Sequence, residues 1–122
     1  MEDIDLLYSN NFGMAFTWKK HTEIDIIKVQ LVFRNTGMLL SCNELNEFSL
    51  HIKKALKNSL NCNTCVLQEK CKSLLLETPA KQISFAMNYK ELNEINELVN
   101  GAVFNLHFDS ILKKNSINKT GN

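Results

Sequence analysis

Met38-Leu39-Leu40-Ser41-Cys42-Asn43-Glu44-Leu45-Asn46-Glu47-Phe48 is the stretch that decides the fold. Met38, Leu39 and Leu40 form an apolar run short enough for a strand, and Ser41-Cys42-Asn43-Glu44 is a capping box that starts a helix. In such a box the hydroxyl accepts from an N–H of the first turn, and the carboxylate reaches back to the N–H of the capping residue. The apolar residues that follow, Leu45, Phe48, Ile52, Ala55 and Leu56, recur at spacings of three and four and predict an amphipathic helix to about Asn58. Lys53, Lys54 and Lys57 lie off that stripe, toward the negative end of the helix dipole.

Upstream the period changes from helix to strand. Phe12, Met14, Phe16 and Trp18 alternate with Gly13, Ala15, Thr17 and Lys19, which predicts a strand with the aromatic set on its buried face. After the polar run Lys19-Lys20-His21-Thr22-Glu23, the residues Ile27, Val29, Leu31 and Phe33 alternate in the same way. Asn35-Thr36-Gly37 supplies residues that tolerate positive φ before Met38, so the three runs read as an antiparallel meander.

Downstream the unit recurs. Gln82–Met87 reads as a strand with Ile83, Phe85 and Met87 on one face, and Asn88-Tyr89-Lys90-Glu91 is a second capping box ahead of Leu92, Ile95, Leu98 and Val99. Laying residues 37–56 over residues 84–103 places Glu44-Leu45-Asn46-Glu47 on the identical Glu91-Leu92-Asn93-Glu94, which suggests a strand-helix unit used twice. Asn100-Gly101 is a helix stop signal, and the alternation of Phe104, Leu106 and Phe108 favours a final strand, with a continued helix through Leu112 as the alternative. The fold class expected is therefore α+β: a mainly antiparallel sheet of four or five strands with two capped helices packed on one face. One domain over residues 1–113 is expected, with a disordered polar tail over residues 114–122.

Between the two units lies a cysteine-containing insertion, residues 60–79, read as a loop and then a short helix from about Thr64 that Pro79 ends. It holds Cys62, Cys65 and Cys71, and the only other thiol is Cys42. Cys62 and Cys65 have the spacing at which two thiolates grip one ion, with Cys71 and Cys42 as third and fourth ligands. Four thiolates suit zinc or an iron–sulfur cluster. The alternatives are reduced structural or redox-responsive thiols with no cofactor, or a Cys62–Cys65 disulfide. His21, His51 and His107 are scattered and read as ordinary side chains.

The order of Val32-Phe33-Arg34-Asn35-Thr36-Gly37, a capped helix, the cysteine segment with Ser73-Leu74-Leu75-Leu76-Glu77-Thr78-Pro79, and a second capped helix resembles a family of small uncharacterised proteins of Bacteroidota bacteria. The resemblance covers most of residues 12–112. It implies a bacterial, cytoplasmic setting and carries over no activity and no site residue.

Composition narrows the functional classes. Fourteen Lys and Arg against thirteen Asp and Glu leave a formal charge of +1, which argues against nucleic acid or an anionic bilayer as partner. The acidic start Met1-Glu2-Asp3 is unlike a secretory signal, and no apolar run is long enough to span a membrane. Only four glycines occur and none forms a phosphate loop. No catalytic residues are expected. The reading is a small non-catalytic binding or regulatory protein with a cysteine-ligated metal. The alternative is a metal-free protein–protein interaction module, dimeric, meeting its partner through a sheet edge or an apolar helix surface.

Overall fold

The computed structural model describes residues 4–18, 27–59 and 74–120, with side chains described as far as Phe108. Strands β1 (Ile4–Ser9), β2 (Gly13–Trp18), β3 (Lys28–Phe33) and β4 (Thr36–Ser41) form an antiparallel sheet in the order β1-β2-β3-β4. Helix α1 (Cys42–Ser59) follows, then a separate antiparallel pair, β5 (Leu74–Glu77) and β6 (Ser84–Met87), and finally α2 (Tyr89–Thr120). The class is α+β. The predicted turn over residues 19–23 and the predicted loop around Cys62 lie outside the described residues.

Both capping boxes form as their sequences require. Glu44 N donates to Ser41 Oγ at 3.2 Å and Ser41 N to Glu44 Oε1 at 2.9 Å. The same pair of bonds joins Glu91 N to Asn88 Oδ1 at 2.7 Å and Asn88 N to Glu91 Oε1 at 3.0 Å. Each box satisfies two backbone donors that the first helical turn leaves without partners. The apolar stripes do what their spacing implies, since Leu45, Phe48 and Ile52 of α1 and Leu92, Ile95, Leu98 and Val99 of α2 are all buried. They close on Ala15, Val29, Leu31, Phe33 and Leu40 of the sheet and on Leu76 and Met87 of the hairpin to make one core.

Five expectations need correction. The first is the stretch before Phe12, to which the sequence assigns no element: residues 4–9 form strand β1, antiparallel to β2. A bulge between Leu6 and Tyr8 turns Leu7 and Tyr8 together toward the helices, which hides the strand's alternation from a sequence reading.

The second concerns which face of β2 is buried. Ala15 pairs with Leu31, and Leu31 with Met38, on the core side, whereas Phe16 pairs with Gln30, and Gln30 with Leu39, on the other. Ala15 is fully buried in the core, while Trp18 is exposed. Phe16 and Trp18 thus face away from the helices, whereas Phe12 packs on the core side. The reason is room: a Cβ on Gly13 would meet Val32 O at 2.2 Å, and Phe33 with Phe12 stacked on it at 5.4 Å already fills that end of the inner face.

The third is the segment ended by Pro79, whose described part, Leu74–Glu77, is a strand rather than a helix. Thr78 Oγ1 stands 2.8 Å from both Ala80 O and Ile83 O, bracing the turn that pairs β5 with β6. Phe85 and Met87 pack inward as expected, but Ile83 precedes β6 and is exposed.

The fourth is at Asn100-Gly101, where α2 continues and residues 104–108 are helical. Gly101 is there for close approach and not to stop the helix, because a Cβ would lie 2.5 Å from the Tyr8 ring of β1. The fifth is the β3–β4 turn, where the positive φ falls on Arg34, at 54°, and on no glycine. Arg34 is held by an ion pair with Glu91 and by its guanidinium lying 5.5 Å from the centre of the Phe12 ring.

Candidate interaction surfaces

The two helices cover only one face of the four-stranded sheet, and the other face is unusually apolar. Across it run the paired positions Leu6, Phe16, Gln30 and Leu39, one from each strand, flanked by Ile4 and Trp18 on one side and Met14 and Val32 on the other. Leu6, Trp18 and Leu39 are exposed. Trp18 packs edge-on against Phe16 at 5.2 Å and its indole N–H points at Gln30 Oε1, 3.4 Å away. Lys28 is the one charged side chain that the register places on this face among the described residues. The signal for this surface is present in the sequence as apolar residues on both alternating sets, as in Met38-Leu39-Leu40, which a one-sided strand does not need.

A second apolar feature lies between the helices. Asn46, Ser49, Leu50 and Lys53 of α1 face Asn100, Val103, Phe104 and His107 of α2 across a groove of ≈ 530 Å³. Its floor carries a polar chain in which Lys53 Nζ donates to Ser49 Oγ at 3.1 Å, Ser49 Oγ to Asn100 Oδ1 at 3.5 Å, and Asn100 Nδ2 to Asn96 Oδ1 at 3.2 Å.

The cysteines are only partly placed. Cys42 opens α1, is exposed, and has its Sγ 3.8 Å from Ile27 O. It lines a cavity of ≈ 190 Å³ with Ile27, Asn46, Val103, Leu106 and His107. Cys62, Cys65 and Cys71 lie outside the described residues, as does His21. Among the described residues no group of three or more His, Cys, Asp or Glu side chains is arranged to hold a metal ion.

His51, expected to be an exposed or satisfied side chain, bridges two elements. Its Nε2 is 3.3 Å from Glu47 Oε2 on α1, and its Nδ1 is 3.8 Å from Glu77 Oε1 on β5. Lys54, Asn58 and Ser84 line the same open cavity of ≈ 320 Å³. At the opposite side of α2, Tyr8 Oη donates to Glu97 Oε2 at 2.5 Å. That bond to a carboxylate is the main reason the phenol is held above its ordinary pKa of 10.0, with desolvation and the charge of Glu97 adding to it. Neither arrangement sets a nucleophile beside a base.

The fold is of the α+β class, with exposed apolar side chains on the outer sheet face and between the helices. Compared with family models, curated proteins and solved structures, the chain matches none. No described helix is long and apolar enough to cross a membrane.

Proposed function

We propose that this protein is a non-catalytic protein–protein interaction module that associates with a second copy of itself through the outer face of the four-stranded sheet. The observation that carries this reading is the row Leu6, Phe16, Gln30 and Leu39, flanked by Trp18 and spanning all four strands, in which Leu6, Trp18 and Leu39 are exposed and Phe16 is buried among them. Contiguous apolar surface of this kind marks an interaction site. With Lys28 as its single charge among the described residues, the face suits a partner surface that is likewise apolar and nearly uncharged, and a second copy meets that requirement through a two-fold contact.

Four strands about 4.8 Å apart and six residues long cover roughly 400 Å² of flat area per copy. Side-chain relief enlarges the accessible area, so the pair falls at the small end of specific interfaces. A reversible dimer of micromolar strength is expected. Equilibrium sedimentation tests it: the native chain should dimerise, and Leu39→Glu or Leu6→Glu should give a folded monomer. The single tryptophan provides a second readout, with Trp18 emission shifting to the blue as concentration rises. A chain that stays monomeric at about 1 mM, above any plausible micromolar Kd, would sink the proposal.

A second reading keeps the thiols as ligands, with Cys62, Cys65, Cys71 and Cys42 holding zinc or an iron–sulfur cluster. What favours it is the exposed position of Cys42 at the start of α1, beside His107 in one cavity. Metal per chain and the absorption spectrum of protein purified without oxygen test it. Stoichiometric metal lost on Cys62→Ser and Cys65→Ser supports the reading; metal-free folding with unchanged stability in those variants overturns it.

A further inference from the structure

On the helical side of the molecule, we infer that the groove between α1 and α2 docks an amphipathic helix of a partner protein whose flanks carry carboxylates. Three observations lead there. The first is apolar: Leu50 of α1 is 66% exposed and Phe104 of α2 is 68% exposed, and Phe104 stacks on Phe108 one turn further along at 6.2 Å between ring centres. Large side chains held this far into water on two adjacent helices form a surface for apolar anchors at helical spacing. The second is shape, because the channel between two packed helices accepts the ridge of a third at an interaxial distance of about 8–10 Å.

The third is charge, and it selects the occupant. Among the described residues the titratable groups lining the groove are Lys53 and His107, with no carboxylate. Lys53 donates to Ser49 and forms no ion pair among the described residues. An incoming helix with Glu or Asp beside its apolar stripe supplies the missing counter-charge. A second copy seated here would instead bring a second Lys53 where a counter-charge is needed, and a nucleic acid would meet Leu50 and Phe104 where it needs cations. The inference concerns a different surface from the self-association proposed above and does not depend on it.

The probe is a pair of labelled synthetic peptides of about five helical turns, identical in their Leu stripe and flanked by Glu in one and by Lys in the other. Fluorescence anisotropy with the full chain is the readout. The Glu peptide is expected to bind at least about tenfold more tightly than its Lys twin, with the difference shrinking at high salt. Lys53→Glu should reverse the ranking, and Phe104→Asp should weaken the Glu peptide by about tenfold or more, at a position too exposed to unfold the domain. Leu39→Glu, on the sheet face, should leave binding unchanged. Equal binding of the two peptides, or a ranking indifferent to Lys53→Glu, overturns the inference. So does a finding that Phe104→Asp abolishes self-association instead of peptide binding, because the occupant is then a second copy.

Discussion

The ring of Tyr8 on β1 lies so close over Gly101 of α2 that a Cβ there would come within 2.5 Å of it. The contact joins the first strand to the last helix, and Tyr8 Oη to Glu97, one turn earlier on that helix, completes it. Asn105 Nδ2, one turn later, donates to Leu7 O at 2.5 Å. These bonds fix the height at which α2 crosses the edge of the sheet.

Gly101→Ala should therefore destabilise the protein even though alanine favours an exposed helix by about 1 kcal/mol. The clash has to be relieved by displacing Tyr8, and a net loss of about 1–2 kcal/mol is expected. In a Tyr8→Ala background the same substitution should become neutral or stabilising. Urea unfolding of the four proteins of that cycle measures the coupling.

Tyr8 also gives stability an alkaline limb. Its folded-state pKa is raised above the ordinary 10.0, first by the hydrogen bond to Glu97. A group whose pKa is raised on folding contributes stability that is complete below the unfolded value and is lost as pH rises through the folded one. Stability should accordingly fall above pH 10.0, and Tyr8→Phe should flatten that fall. Midpoints of chemical unfolding at neutral pH and above pH 10 compare the two proteins.

The two capping boxes are separate devices on separate helices. Ser41→Ala and Asn88→Ala should each cost about 1 kcal/mol. The double variant should lose their sum, because the two boxes are built from separate residues on separate helices. A marked departure from additivity in denaturant titrations would show that the two helix starts are coupled through the core.

Leu75 and Leu76 sit side by side on β5 with opposite fates, the first exposed and the second fully buried. Leu76→Ala should cost roughly 2–5 kcal/mol, whereas Leu75→Ala should change stability by less than about 0.5 kcal/mol. The contrast, read from thermal unfolding, separates a strand at Leu74–Glu77 from the helix that the sequence suggests there.

What local chemistry dictates was legible in the residues. Ser41 with Glu44 and Asn88 with Glu91 start their helices as written, because a capping box needs only atoms within four residues. The alternation from Val29 to Phe33 likewise placed its own residues in the core. The α+β class followed from these local units.

What the sequence could not decide was every choice between two locally acceptable outcomes. Phe12 to Trp18 has the period of a strand on either face, and only the filling of the inner face around Gly13 and Phe33 sends Phe16 and Trp18 outward. Asn100-Gly101 reads as a stop until Tyr8, ninety-odd residues away, requires a glycine inside the helix. The apolar groove at Leu50 and Phe104 depends on α1 and α2 lying side by side, which neither helix encodes alone. Periodicity and capping are short-range effects and act within one element. Which face is buried, where a helix continues and what surface is left over are settled by excluded volume between elements distant in the chain, and that exists only once the tertiary structure has formed.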